Sequence, residues 1–167
     1  QNISGILADD RGLGKTVQTA AFLAWLKDHR VKTGTQTQSK SQLPAQKAPR
    51  THLLVVPPST LSNWESELKR FCPQLAVFTY HGDQNERYDQ RYRVKQLILN
   101  EKCDVLLTTY SYFSGNNRDE RVFFRNRRFD YLVVDEAHAL KSSTTARYMN
   151  LAALHVEDGV AAGSAGD

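Results

Sequence analysis

Short apolar segments alternate with segments of helical spacing, and this alternation constrains the fold more than any other feature of the sequence. The strand candidates are almost wholly apolar and cover 4–8, 52–56, 75–80, 105–109 and 130–134. Apolar residues recur at helical spacing over 16–30, 59–71, 86–100, 119–125 and 147–154. Strands without polar alternation are typical of a parallel sheet that helices cover on both faces. The sequence therefore predicts an α/β fold of three layers with a mainly parallel sheet.

Length and composition fit one globular domain from a reducing compartment. The 167 residues are 40% hydrophobic and 24% charged, which is ordinary for a globular protein and argues against wholesale disorder. The two cysteines, Cys72 and Cys103, are too few for a disulfide scaffold and form no paired zinc motif. No apolar run approaches the ~20 residues that span a bilayer, and no secretory signal is expected, so no membrane partner is predicted.

Charge and low complexity distinguish two parts of the chain. Residues 1–147 hold 22 basic and 15 acidic side chains, a balance of +7, whereas 148–167 hold three acidic residues and no basic one. A basic body suits an anionic partner such as nucleic acid, although a solvated surface explains the charge equally well.

Residues 32–50 are rich in Thr, Gln, Ser and Lys, with Leu43 as their one large aliphatic residue. We interpret about 32–50 as a disordered surface insertion.

The residues that are unusual for a core follow the strand candidates. A glycine-rich turn follows the first strand, and polar turns at 57–60, 108–110 and 135–138 end or follow three others. Ligands of open parallel sheets bind at the carboxyl ends of the strands. The sequence therefore predicts one ligand site along that edge of the sheet.

The glycine-rich turn has the residues of a phosphate-binding loop. It reads Gly12, Leu13, Gly14, Lys15 and Thr16, between a strand and a helix. Glycines let backbone N–H groups approach phosphate oxygens, a lysine reaches the β- and γ-phosphates, and a hydroxyl ligates Mg²⁺. Lys15 and Thr16 fit the last two roles. The strict loop pattern requires glycine at position 9, where this chain has aspartate, so the turn alone is an incomplete signal.

An acidic turn supplies the second half of a nucleotide site. Asp135 and Glu136 follow the apolar run at 131–134. Asp135 is positioned to hold Mg²⁺ through water, and Glu136 can take a proton from an attacking water. A GTPase would also need an N-K-x-D motif to read its base, and the sequence has none. A histidine metal site is not favoured, because the five histidines are scattered and form no H-x₃₋₅-H pair.

These motifs resemble the first, ATP-binding lobe of helicase-superfamily-two ATPases, in the Swi/Snf-like chromatin-remodelling branch. Residues 6–18 resemble motif I of that branch, including the aspartate at position 9, and 55–64 resemble motif Ia. Residues 108–110 resemble the next DNA-facing motif, and 135–141 resemble motif II. The agreement with the family extends over about residues 3–155. Within the family, the SMARCAD/Etl subgroup is most similar, as judged from residues 8–10, 80–82 and 118–124. The resemblance implies a RecA-like P-loop fold for residues 1–158.

The resemblance also implies roles in nucleotide chemistry. ATP would be bound by Gly12, Leu13, Gly14, Lys15 and Thr16. Thr16 and Asp135 would hold Mg²⁺, and the catalytic residues would be Lys15, Asp135 and Glu136. His138 would couple the ATP site to motif III.

The same resemblance implies contacts with double-stranded DNA. Pro58, Ser59, Thr60, Thr109 and Tyr110 would contact the phosphates of one strand, which gives a grip that is independent of base sequence and sensitive to salt. Ser59 or Thr60 is also expected to cap the helix that follows. Trp64, which belongs to motif Ia, is interpreted as a core residue rather than a platform for stacking bases.

Departures from the family pattern leave alternatives open. Arg11 stands where methionine is usual, the upstream segment with the adenine-reading glutamine is missing, and a second lobe is absent. Motif III should read roughly Thr-Gly-Thr-Pro, but the nearest match is 162–165, so 159–167 are interpreted as a degenerate motif and tail.

The resulting hypothesis is the ATP-binding lobe of a DNA-dependent ATPase that translocates on duplex DNA and remodels nucleosomes in the nucleus. ATP hydrolysis would need a second helicase lobe, so the 167-residue chain alone is expected to be inactive. One alternative is a nucleotide- or DNA-binding interaction module without turnover. Another is a repair- or transcription-associated member of the same family.

Overall fold

The structure, a computed structural model, describes residues 5–9, 14–33, 51–114, 118–136 and 146–165. The strands are β1 (Gly5–Asp9), β2 (His52–Val56), β3 (Val77–Thr79), β4 (Val105–Thr109), β5 (Arg128–Val134) and β6 (His155–Ala165). The α-helices are α1 (Lys15–Thr33), α2 (Leu61–Phe71), α3 (Gln84–Leu99), α4 (Arg118–Arg125) and α5 (Ala146–Ala152). Two short 3₁₀ helices, Pro58–Thr60 and Tyr110–Phe113, follow β2 and β4. No helix in these ranges is long and apolar enough to cross a bilayer.

The described strands form one parallel sheet in the order β1-β6-β5-β2-β4-β3. Each neighbouring pair is parallel, so all carboxyl ends lie along the same edge. The chain moves outward from β1 to β2 to β3 and then returns through β4 and β5 to β6. Because crossover connections between parallel strands are right-handed, this reversal places the later helices on the opposite face.

Alternate residues of β2 show that helices cover both faces of the sheet. Leu54 and Val56 pack in a core with buried residues of α1 and α2. Leu53 and Val55 pack in a second core with buried residues of α3, α4 and α5. The prediction of a three-layer α/β fold with a parallel sheet is confirmed.

The carboxyl-terminal part of the sheet differs from the sequence prediction. Residues 159–165, interpreted above as part of a degenerate tail, extend β6 to Ala165. β6 pairs with β1 on one side and with β5 on the other. The glycine and alanine content of this segment gives a weak strand signal, and pairing with two neighbours outweighs it.

The end of α1 and the capping of α2 also differ from the predictions. α1 continues to Thr33, into the first residues of the predicted insertion, and the rest of that insertion, 34–50, lies outside the described residues. Thr60 is the residue that precedes α2, but its side chain makes no capping bond. Its hydroxyl instead donates to the Pro57 carbonyl at 3.2 Å, because the 3₁₀ turn already brings these groups together.

A buried carboxylate joins α3 and α4 to the segment after β3. Glu120, 1% exposed, accepts hydrogen bonds from the Tyr80 hydroxyl at 2.5 Å, from Arg87 Nε at 2.8 Å and from Arg91 Nη2 at 2.8 Å. We call these four residues the Glu120 cluster. Burial alone would raise the pKa of the Glu120 carboxyl, but the hydrogen bonds from Tyr80, Arg87 and Arg91 outweigh burial and lower it.

Candidate nucleotide site

The first part of the candidate site is the junction between Gly14 and α1. Gly14 has a φ of +80°, in the left-handed region that favours glycine, and among the described residues outside its own turn no atom lies within 4 Å of the position a Cβ would take. α1 begins at Lys15, and the Gln18 N–H donates to the Gly14 carbonyl at 2.9 Å. Lys15 and Thr16 are half-buried in the first turn. Gly12 and Leu13 lie outside the described residues.

The second part is the turn after β5. The Asp135 N–H donates to the Val55 carbonyl at 3.0 Å, which carries the pairing between β5 and β2 one residue past the strand. Glu136 follows with a φ of +52°, a left-handed conformation that is uncommon for a residue with a side chain. Such backbone strain often occurs at functional sites. His138, the predicted coupling residue, lies outside the described residues.

The sheet brings these two parts to the same edge. β6 alone separates β1 from β5, so their backbones lie about 10 Å apart at a spacing of about 4.8 Å per strand. Ala165 pairs with Asp9 and Ala162 pairs with Val134. Residues 162–165 therefore lie between the strand that leads toward the glycine turn and the strand that leads to Asp135.

The residues at this edge fit a nucleotide with Mg²⁺. The N-terminus of α1 presents backbone N–H groups and a positive field to an anion. Thr16 and Asp135 offer oxygen atoms, the ligand type that Mg²⁺ prefers, and nucleotide sites hold this ion with one or two protein groups plus phosphates and water. In the described part of the chain, no three His, Cys, Asp or Glu side chains come together as a dedicated metal site.

Asp135 is held by two aromatic residues, Trp64 and Tyr110, for which the sequence predicted no role in the nucleotide site. The Trp64 indole Nε1 donates to Asp135 Oδ2 at 2.7 Å, and the Tyr110 hydroxyl donates to the Asp135 carbonyl. Burial, with the nearby carboxylates of Asp135 and Glu136, raises the pKa of Tyr110 and keeps its hydroxyl protonated. Trp64 is 3% exposed, so the structure agrees with its interpretation as a core residue and adds a polar contact.

The predicted DNA-contacting residues divide into an exposed and a buried group. Pro58 and Ser59 are exposed in the 3₁₀ helix after β2, and Thr60 is half-buried. Thr109 and Tyr110 are buried, at 0% and 3% exposure. Contact of these two residues with DNA stays a prediction, and it requires this part of the sheet edge to open.

Comparison with known proteins identifies the family. The model of the SNF2-related domain matches residues 1–160. A "SWI/SNF-related matrix-associated actin-dependent regulator of chromatin subfamily A containing DEAD/H box 1 homolog" from Drosophila melanogaster is 46% identical over 151 residues. This match covers 90% of the chain and 16% of the relative. The "ATP-dependent helicase fft1" of Schizosaccharomyces pombe is 44% identical over 149 residues, which are 89% of the chain and 14% of that protein.

A solved structure supports the same assignment. The "Sulfolobus solfataricus SWI2/SNF2 ATPase core in complex with dsDNA" superposes with a TM-score of 0.67 and 28% identity, over 96% of this chain and 27% of that one. The chain covers only 16% and 14% of the length of the two curated relatives named above. The relatives confirm the resemblance to the Swi/Snf-like branch and agree with its SMARCAD subgroup. The chain belongs to the SNF2-related domain family.

Proposed function

We propose that this chain is the ATP-binding lobe of a DNA-dependent ATPase that translocates on duplex DNA and remodels nucleosomes. One observation carries the proposal: Lys15 and Thr16 at the start of α1, and Asp135 and Glu136 after β5, lie along one edge of a parallel sheet. That edge is where α/β proteins bind nucleotides. The names of the chromatin regulator and the ATP-dependent helicase among the relatives support the same activity.

In this proposal each residue has a distinct task. The Lys15 ammonium opposes the charge of the β- and γ-phosphates, and Gly12, Leu13 and Gly14 offer their backbone to them. The Thr16 hydroxyl and the Asp135 carboxylate would hold Mg²⁺, which neutralises phosphate charge when it is bound. Glu136 orients the attacking water and accepts its proton. His138 links this site to the segment at 162–165.

Duplex DNA is proposed to contact the segment that follows β2. Pro58 and Ser59 are exposed at the carboxyl edge of the sheet, on the same edge as the nucleotide site. The similar ATPase core was solved with double-stranded DNA, which supports duplex DNA as the partner. Backbone contacts of this kind position a protein on DNA without reading its sequence. Thr109 and Tyr110 would join the contact only after the edge opens.

The complete reaction is proposed to need a second helicase lobe and to act on nucleosomes in the nucleus. In this proposal an arginine of the second lobe would stabilise the charge on the γ-phosphate, as an arginine supplied across the site does in other NTPases. The chromatin regulators among the relatives support nucleosomes as the substrate and the nucleus as the location.

The test measures ATP hydrolysis by this chain joined to a second helicase lobe, with and without duplex DNA. Glu136→Gln should keep ATP affinity and lose DNA-stimulated hydrolysis, because an amide cannot take the proton of water. Glu67→Gln is the matched control, because among the described residues the Glu67 carboxylate accepts a hydrogen bond from Asn63 alone, at 3.3 Å. Normal hydrolysis by Glu136→Gln would contradict the assigned base, and ATP binding without any turnover would favour the interaction module.

A further inference from the structure

Trp64 connects the hydrophobic core beneath the sheet to the acidic turn after β5. Its ring packs with Leu61 and Leu68 of α2 in the core on that face. Its Nε1 donates to Asp135 Oδ2 at 2.7 Å, although the two residues are 71 positions apart. A buried indole N–H needs a hydrogen-bond partner, and a carboxylate is the strongest acceptor that a side chain offers.

Three hydrogen bonds fix Asp135 from three sides. Its N–H donates to the Val55 carbonyl, its carbonyl accepts from Tyr110, and its Oδ2 accepts from Trp64. The second carboxylate oxygen, Oδ1, accepts no hydrogen bond from the described residues. The Trp64 contact thus sets the rotation of the carboxylate and leaves one oxygen for a ligand.

Trp64 also lies on the helix that follows the exposed 58–60 segment. α2 begins at Leu61, directly after the 3₁₀ helix Pro58–Thr60. A displacement of that segment by DNA would move the first turns of α2, because an α-helix transmits movement along its axis as a stiff body. The indole would carry that displacement to the Asp135 carboxylate.

We propose that Trp64 is a positioning residue of the nucleotide site, whose indole N–H orients the Asp135 carboxylate toward Mg²⁺ and links it to the DNA-contacting segment at 58–60. This inference rests on the proposed ATPase function. The Trp64 indole N–H thereby has a role in addition to the packing of its ring in the core. A residue that only fills the core would affect nucleotide binding equally with and without Mg²⁺.

The first test measures ATP affinity of the chain by calorimetry, with Mg²⁺ and with EDTA. Trp64→Phe keeps the aromatic packing and removes the donor. It should weaken Mg-ATP binding by about 10-fold or more, the usual effect of losing a group that orients a metal ligand, and leave metal-free ATP binding unchanged. Trp25→Phe is the matched control, because Trp25 is 54% exposed on α1 and contacts His29 rather than Asp135.

Two results would overturn the inference while leaving the proposed function intact. One is equal weakening by Trp64→Phe with Mg²⁺ and with EDTA, and the other is no weakening in either condition. Failure of the unsubstituted chain to bind ATP in both conditions would instead overturn the proposed function and the inference together.

A second measurement does not require Trp64 to be replaced. The sequence has two tryptophans, so Trp25→Phe leaves one indole N–H signal in the NMR spectrum. That proton should exchange slowly with solvent, and its signal should shift when Mg²⁺ and ATP are added but much less when ATP and EDTA are added. A rapidly exchanging proton, or the same shift in both conditions, would contradict the proposed contact.

Discussion

Removing the carboxylate of the Glu120 cluster should destabilise the fold more than any exposed charge substitution. The Glu120 side chain is 2% exposed, and the side chains of Arg87 and Arg91 are 13% and 23% exposed. Glu120→Ala would remove the acceptor that the Tyr80 hydroxyl, Arg87 Nε and Arg91 Nη2 share. Arg87 also donates through Nη1 to the Gly82 carbonyl at 2.5 Å, so the segment after β3 should loosen when Arg87 loses its carboxylate partner.

The size of the effect follows from this burial. Breaking a buried ion pair by removing one partner costs about 3–5 kcal/mol, compared with about 0–1 kcal/mol for an exposed pair. For a chain of this length each kcal/mol lowers Tm by about 2–4 °C, so we expect a fall of about 6–20 °C. Glu65→Gln is the control, because Glu65 is exposed and accepts a hydrogen bond from Thr79 at 3.1 Å.

The pH dependence of unfolding separates the stability that the Glu120 carboxylate contributes by its charge from the stability that its side chain contributes by packing. The folded state lowers the pKa of Glu120, so its stabilisation is complete above the ordinary glutamate pKa of about 4.3. That stabilisation is lost as the pH falls through the lowered pKa. Glu120→Gln should remove this part of the pH dependence in urea unfolding. A loss below about 1 kcal/mol for Glu120→Ala, or an unchanged acid dependence for Glu120→Gln, would refute the reasoning.

Three further predictions concern the helices and the site. Asp83→Ala should cost about 1 kcal/mol in urea unfolding, because it removes the Asp83–Glu86 capping box of α3, whereas the exposed Asp89→Ala should change little. Gly14→Ala should lower Tm and weaken ATP binding, because alanine at a φ of +80° is strained by about 1 kcal/mol. The 167-residue chain alone should release phosphate near the background rate even with duplex DNA, because an arginine from a second lobe is worth about 10³–10⁵ in rate. Robust DNA-stimulated release by the isolated chain would contradict that expectation.

Local patterns predict most of the sheet because its strands are nearly continuous apolar runs. Val105–Thr109 and His52–Val56 occupy the predicted positions, and both are buried along their whole length. The sequence did not predict the full length of β6, because its glycine, alanine and serine residues are held in a strand by pairing with β1 and β5. Pairing between distant strands cannot be read from the local pattern of one sequence.

The motifs also predict the edge at which the site lies, but they do not predict its internal contacts. Lys15, Thr16, Asp135 and Glu136 follow from residue types with known chemical roles. The bond between Trp64 and Asp135 depends on how α2 packs against the sheet, and the two residues are 71 positions apart in the sequence. The Glu120 cluster is similar, because a glutamate in a short charged helix gives no local sign that it is buried.

The most direct test of the central claim is the affinity of the chain for Mg-ATP, measured by calorimetry for Lys15→Ala against the unsubstituted protein. Loss of the ammonium group should weaken binding by about 10- to 100-fold, the worth of a hydrogen bond to a charged group. Lys95→Ala, an exposed lysine on α3, should bind as the unsubstituted chain does. Equal affinity of all three proteins would contradict a nucleotide site at the start of α1.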